Sequence, residues 1–78
     1  MSENINTIAL IGYGNMGEAI IAGLLRNGLA PSKNIYASGP RVERGTELQS
    51  RYGIMPFTDN AEAVRSANVI ILAIKPQK

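Results

Sequence analysis

The sequence predicts an α/β fold built on a doubly wound, all-parallel sheet. Three observations lead there. Short apolar runs alternate with stretches of helical period, in the order β-α-β-α-β-α-β. Residues 7–11 (TIALI) and 68–74 (NVIILAI) are apolar without alternation, as strands buried on both faces of a parallel sheet are. Glycine or proline punctuates the segments, at Gly12, Gly28, Gly39-Pro40, Gly53 and Pro76. Parallel strands need crossovers, and right-handed crossovers put the helices on the sheet faces. The expected strand order is 3-2-1-4, half or a little more of a complete doubly wound sheet.

Residues 7–11 form the first strand. From 15 to 27 the period becomes helical, with Met16, Ala19, Ile20, Gly23, Leu24 and Asn27 on one side as the expected inner face. Gly28 stops this helix and Pro31 follows. Residues 34–38 (NIYAS) read as the second strand. Residues 41–52 read as a second helix with Val42, Gly45, Leu48 and Tyr52 near its inner face, ended by Gly53. Residues 54–57 are a weak third strand, and Pro56 places it at a sheet edge. Asp59 with Glu62 three residues on resembles an N-cap with its capping-box partner, opening a short helix over 60–66. Residues 68–74 are the clearest buried strand, and Pro76 stops it.

Composition narrows the function. A chain of 78 residues predicts one small domain with a modest core. The net charge is +2, and basic and acidic residues are interleaved, so there is no basic stripe for nucleic acid. There is no cysteine and no histidine, which excludes disulfides, Cys or His metal sites and Ser-His or Cys-His nucleophile pairs in this chain. Absence of cysteine fits a cytoplasmic location. The opening MSENINT is polar and unlike a signal peptide, and no apolar run approaches the roughly 20 residues of a membrane span.

The stretch IGYGNMGEAI carries the chemistry. Gly12, Gly14 and Gly17 form G-x-G-x-x-G between a buried strand and an amphipathic helix, the context of a Rossmann-type dinucleotide site. Gly12 permits the tight turn, Gly14 lets a pyrophosphate approach the backbone, and Gly17 lets the helix pack on the sheet. Helix N–H groups and the helix dipole then face the phosphates. A triphosphate-binding loop needs Lys-Ser or Lys-Thr after its last glycine, and Gly17-Glu18 stands there instead. An NAD site usually carries an acid after the second strand, for the ribose 2′-hydroxyl. Ser38, Gly39, Pro40 and Arg41 stand there, with no carboxylate. Ser38 can donate a hydrogen bond, the Gly39 backbone is open, and Arg41 or Arg44 can supply charge to a 2′-phosphate. NADP is expected over NAD, with NADPH preferred and NADH possible. Ala73, Ile74, Lys75 and Pro76 end the fourth strand on the cofactor side, near the ribose and nicotinamide. Asn60 is either a helix cap or a contact to the adenosine side.

Taken together, IGYGNMGEAIIAGLLRNG, IYASGPR, YGI and DNAEAVRSANVIILAIKPQ resemble the N-terminal domain of pyrroline-5-carboxylate reductase over essentially the whole chain. Gly-Asn-Met-Gly and Ala-Ile-Lys-Pro-Gln are the specific parts. The resemblance implies hydride transfer from NADPH, sometimes NADH, to 1-pyrroline-5-carboxylate, giving proline. It implies that Ile11, Gly12, Tyr13, Gly14, Asn15 and Met16 hold the dinucleotide phosphates, and that Ser38, Gly39 and Arg41 lie at the 2′-phosphate end. Asn60 would contact the adenosine portion, and Ala73, Ile74, Lys75 and Pro76 would line the nicotinamide end. Family members continue for about two hundred residues more by this resemblance, adding strands and a helical domain that dimerises and builds much of the substrate site. The chain is therefore expected to be the N-terminal fragment, with its fourth strand an exposed apolar edge, no catalytic acid of its own and no turnover alone. Three rivals remain open at this point: a hydroxyacid- or prephenate-type dehydrogenase, a non-catalytic nucleotide-sensing module, and a doubly wound fragment that binds nothing because its site is half built.

Overall fold

The computed structural model describes residues 7–73. The elements follow the expected order: β1 (Ile8–Ile11), α1 (Asn15–Arg26), β2 (Ile35–Ser38), α2 (Val42–Tyr52), β3 (Met55–Phe57), α3 (Asn60–Val64) and β4 (Val69–Leu72). A 3₁₀ turn at Ser32–Asn34 precedes β2. Asn34, expected in the second strand, closes that turn through its N–H to the Pro31 carbonyl at 2.9 Å.

The strands form one parallel sheet in the order β3-β2-β1-β4, the order expected. Ile8 lies beside Ile35 on one side and Val69 on the other, and Ile11 beside Ser38 and Leu72. This register brings the carboxyl ends of β1, β2 and β4 to one level. β3 pairs only with β2, so Pro56 sits at an edge, where a missing N–H costs no ladder bond.

Ala9 and Leu10 of β1 are fully buried, as a central parallel strand requires. Ile21 of α1, Ile35 of β2, Leu48 of α2 and Ile54 before β3 are buried with them. Burying one such side chain stabilises the fold by roughly 1.5–3 kcal/mol. Gly53 ends α2 in the left-handed conformation at φ 80°. Asp59 caps α3 as expected, its carboxylate accepting from the Ala61 N–H at 2.9 Å. Glu62 pairs with Arg65 at 3.6 Å, within α3 and its C-cap.

Three expectations need correction. The buried face of α1 runs through Gly17 and Ile21, with Ile20, Leu24 and Leu25 packed against the core, while Met16 and Ala19 face outward. The physical reason is the seat of Gly17 on the turn below it. An added Cβ at Gly17 would lie 2.5 Å from the Gly12 carbonyl oxygen, so this residue marks the line of closest approach. On α2, Gly45 and Leu48 point inward as expected, but Val42 is 64% exposed. The fourth strand is the exposed apolar edge expected, but not the strand buried on both faces: Val69, Ile70 and Leu72 are exposed, because β4 packs chiefly against β1 and no described helix covers its faces closely.

Gly17→Ala is expected to destabilise the domain by about 1–3 kcal/mol, the usual cost of overpacking. Gly14→Ala adds a Cβ that meets nothing within 4 Å and is expected to leave the thermal midpoint nearly unchanged. Thermal melts of both variants check this, and a midpoint unmoved by Gly17→Ala would refute the close seat of α1.

Candidate functional site

The chain runs from β1 outward through β2 to β3, then returns to place β4 on β1's far side. Ligand crevices in such sheets open beyond the strand carboxyl ends where the order reverses. Here Gly12, Gly39 and Ala73 follow β1, β2 and β4 at that end. The Gly12 N–H donates to the Ser38 carbonyl, and the Ala73 N–H to the Ile11 carbonyl, each at 2.8 Å.

The three glycines of the turn have different physical reasons. Gly12 has φ 105°, a left-handed conformation that other residues resist. Gly17 is held by its contact with Gly12. Gly14 has an ordinary φ of −78°, and no neighbouring atom forbids a side chain there. The fold does not demand glycine at this position. Gly14 instead borders a cleft of about 570 Å³, lined also by Gly12, Asn15, Met16, Arg41 and Ala73. Gly14 is the N-cap of α1, and no side chain caps the helix. The first helical bond runs from the Glu18 N–H to the Gly14 carbonyl at 2.9 Å. The amides of Asn15, Met16 and Gly17 thus lack intrahelical partners and suit an anion. The residues present fit a dinucleotide pyrophosphate.

Ile11, partly buried, ends β1 just below this cleft. Tyr13 lends its backbone to the turn, but its side chain is buried, 4% exposed. Its hydroxyl donates to the carbonyls of Gly39 at 3.0 Å and Arg41 at 2.5 Å. Burial pushes this phenol above its ordinary value, with Glu43 adding to the rise and Arg41 opposing it. It stays protonated at neutral pH as a structural donor.

Ser38 is fully buried, and its hydroxyl donates to Asn60 Oδ1 at 2.5 Å. Its proton is therefore committed to the Asn60 carboxamide. Asn60, Gly39, Pro40, Thr58 and Asp59 line a second recess of about 530 Å³, and Pro40 borders both hollows. Arg41 is exposed, stands at the N-cap of α2 and borders the first cleft. Ile74, Lys75 and Pro76 lie outside the described residues. A third hollow, of about 450 Å³, carries Asp59 and Glu62 and borders neither Gly12 nor Gly14. Among the described residues there is no cluster of His, Cys, Asp or Glu able to hold a metal. No helix among them is long and apolar enough to cross a membrane.

Sequence reasoning missed the brace behind the glycine turn. Glu18 of α1 accepts from Arg44 at 2.8 Å and from Tyr52 at 2.8 Å, and pairs with Arg51, all from α2. Glu47 closes the set, pairing with Arg44 at 3.2 Å and Arg51 at 3.0 Å. The helical spacing of 44, 47 and 51 was visible in the sequence, but nothing local linked them to Glu18. The Tyr52 hydroxyl, followed by Arg44 and Arg51, holds the Glu18 carboxyl down from an ordinary value of 4.5 to about 2.

A family model described as NADP oxidoreductase coenzyme F420-dependent matches residues 7–78. The chain belongs to this family. It therefore carries an NAD(P)-binding domain of oxidoreductase type. Among similar proteins is a pyrroline-5-carboxylate reductase of Corynebacterium melassecola, 44% identical over 94% of this chain and 27% of its own length. One of Vibrio alginolyticus is 44% identical over 90% of this chain and 25% of its own length. A solved pyrroline-5-carboxylate reductase of Coxiella burnetii superposes with a TM-score of 0.83 at 32% identity, over 94% of this chain and 27% of that one. The chain thus spans about a quarter of the length of these relatives. The match to the solved structure supports the Rossmann-like reading of the sheet.

Two outcomes follow from this geometry. Tyr13→Phe leaves the Gly39 and Arg41 carbonyls without their donor and is expected to cost about 1–3 kcal/mol, read as a lower urea midpoint. An unchanged midpoint would refute the clamp. Because folding lowers the Glu18 value, the stability it contributes is complete above about 4.5 and is lost as pH falls towards about 2. Glu18→Gln is expected to flatten acid denaturation in that window. Equal slopes for variant and wild type would count against it.

Proposed function

We propose that this chain is the dinucleotide-binding domain of a pyrroline-5-carboxylate reductase. The reaction is hydride transfer from NADPH to 1-pyrroline-5-carboxylate, giving proline. The observation that carries the reading is Gly14: a glycine the fold does not need, at an uncapped helix N-terminus, opening on the cleft. The relatives that share this chain's sequence over most of its length supply the substrate by their names. The same names favour this reading over a hydroxyacid-type dehydrogenase or a sensing module.

In this reading the backbone amides of Asn15, Met16 and Gly17 hold the pyrophosphate, and Gly12, Tyr13 and Gly14 shape the turn that lets it approach. Arg41, with the open first turn of α2, meets the 2′-phosphate, and the absence of a carboxylate after β2 removes the repulsion an acid would bring. Ser38 acts by orienting Asn60, whose amide nitrogen is left to meet the adenosine ribose. Ala73 borders the nicotinamide end, with Ile74, Lys75 and Pro76 following it in the chain. A reduced nicotinamide, when bound, supplies the hydride itself. The chain's own residues bind, orient and exclude water. No side chain bordering the cleft among the described residues is placed as a general acid, since the Tyr13 hydroxyl is buried and its proton is engaged by the Gly39 and Arg41 carbonyls. The substrate site and its proton donor are proposed to lie outside this chain, in a further domain through which the full-length protein forms a homo-oligomer. The exposed edge of β4 is then where that protein continues the sheet. A cytoplasmic location, without nucleic-acid or membrane partners, fits the cysteine-free and patch-free composition.

Fluorescence titration with both reduced cofactors tests this. NADPH is expected to bind tighter than NADH. Arg41→Ala should weaken NADPH by about tenfold, the worth of one charge-assisted hydrogen bond, and leave NADH nearly unchanged. Tighter binding of NADH would sink the cofactor assignment, and proline formation by residues 1–78 alone would sink the division of labour.

A further inference from the structure

We propose that Arg44 is a positioning residue: it straps the glycine turn to α2, fixes the amides that meet the pyrophosphate, and leaves discrimination of the 2′-phosphate to Arg41. This rests on the dinucleotide reading above.

Arg44 stands beside the cleft and is the obvious second cation for a phosphate. Its hydrogen bonds say otherwise. Nε donates to the Tyr13 carbonyl at 2.9 Å. Nη2 donates to the Gly14 carbonyl at 3.3 Å and to Glu18 Oε1 at 2.8 Å. Nη1 donates to Glu47 at 3.2 Å. A guanidinium has five N–H donors in a fixed plane. These contacts use most of them, and the fork that would grip a phosphate bidentately is already filled. The side chains of Arg44 and Glu18 are only 16% and 20% exposed. Arg44 and Arg51 face Glu18 and Glu47, so the cluster carries no free charge. Arg41 makes no ion pair among the described residues and is exposed at the mouth of the cleft.

The strap acts through peptide geometry. In a trans peptide the C=O and the following N–H point in opposite directions. Holding the Tyr13 and Gly14 carbonyls on the Arg44 side therefore turns the Gly14 and Asn15 N–H groups away from it. Gly14 has no Cβ to limit its backbone, so an unstrapped turn would sample other orientations. Preorganised donors bind better because the ordering cost is met before the ligand arrives.

The test titrates NADPH and NADH against the full chain, wild type and variants, at a temperature where circular dichroism shows every variant folded. Arg44→Ala is expected to weaken both cofactors by the same factor, about tenfold, leaving their ratio unchanged. Arg44→Lys keeps the charge but cannot span two carbonyls and a carboxylate, so it should recover little. Glu18→Gln should weaken both cofactors less, and its effect should shrink in the Arg44→Ala background. Arg41→Ala, in contrast, should change the ratio. Selective loss of NADPH in Arg44→Ala would overturn the inference and make Arg44 a phosphate ligand. Unchanged affinity for both, or full recovery by Arg44→Lys, would overturn it too. A wild type that binds neither cofactor would overturn the dinucleotide reading and the strap with it.

Discussion

The phenol ring of Tyr13 fills the space between the two crossover turns from which the site is built. An added Cβ at Gly39 would lie 2.4 Å from the ring, and one at Gly45 would lie 3.2 Å from its hydroxyl. Gly39 is glycine because the ring is there, while at Gly45 an added Cβ would meet Pro56 Cβ first, at 2.8 Å, and the phenol second. The hydroxyl satisfies the carbonyls of Gly39 and Arg41, so the turn after β1 sets where the turn after β2 can stand. A buried ring in contact with two backbones gives little when pushed, since interiors pack as densely as organic crystals. The two hollows keep their relation because one side chain lies under both turns.

The acidic and basic residues between α1 and α2 serve the same end from outside. Glu18 receives Arg44, Arg51 and Tyr52, and this fixes how α1 lies along α2. Exposed ion pairs contribute little one at a time, but this is a network with a half-buried carboxylate at its centre. It also reaches the turn directly, through the two backbone carbonyls that Arg44 holds.

The sheet and its strand order were legible in the sequence because strands of a parallel sheet carry unbroken apolar runs, and those runs are unambiguous at residues 7–11 and 68–74, even though β4 is exposed among the described residues. The glycine turn was legible because each glycine sits at a fixed offset from a strand end. The face of α1 was not. Gly17 adds nothing to a hydrophobic period, yet its contact with Gly12 decides which side turns inward. The destination of Tyr13 was hidden for a similar reason: an aromatic in a polar turn reads as a lining residue until Gly39 and Gly45 are seen to make room for it. Ser38 looked like a ligand donor because its place at the end of β2 was clear. Its commitment to Asn60, 22 residues on, was not. Contacts across crossovers leave no local spacing to read.

Gly14 and Gly17 divide the work of the motif. Gly17 belongs to the fold, since its missing side chain lets α1 sit on the sheet. Gly14 is not demanded by the fold, since nothing among the described residues fills the space its side chain would take, and the proposed reading gives that space to the ligand. On the proposed dinucleotide reading, recognition at this turn rests on backbone amides whose direction is set by packing and by the Arg44 strap. Amides do not titrate, so the pyrophosphate grip is insensitive to pH except through the brace. Glu18 stays ionised down to about 2, so the brace remains intact well below neutral pH. On the same proposal, charge recognition falls to the exposed Arg41, whose pull on an anion is screened by salt as that of any surface charge is. Added salt should then erode discrimination between the two cofactors before it erodes the grip on the part they share.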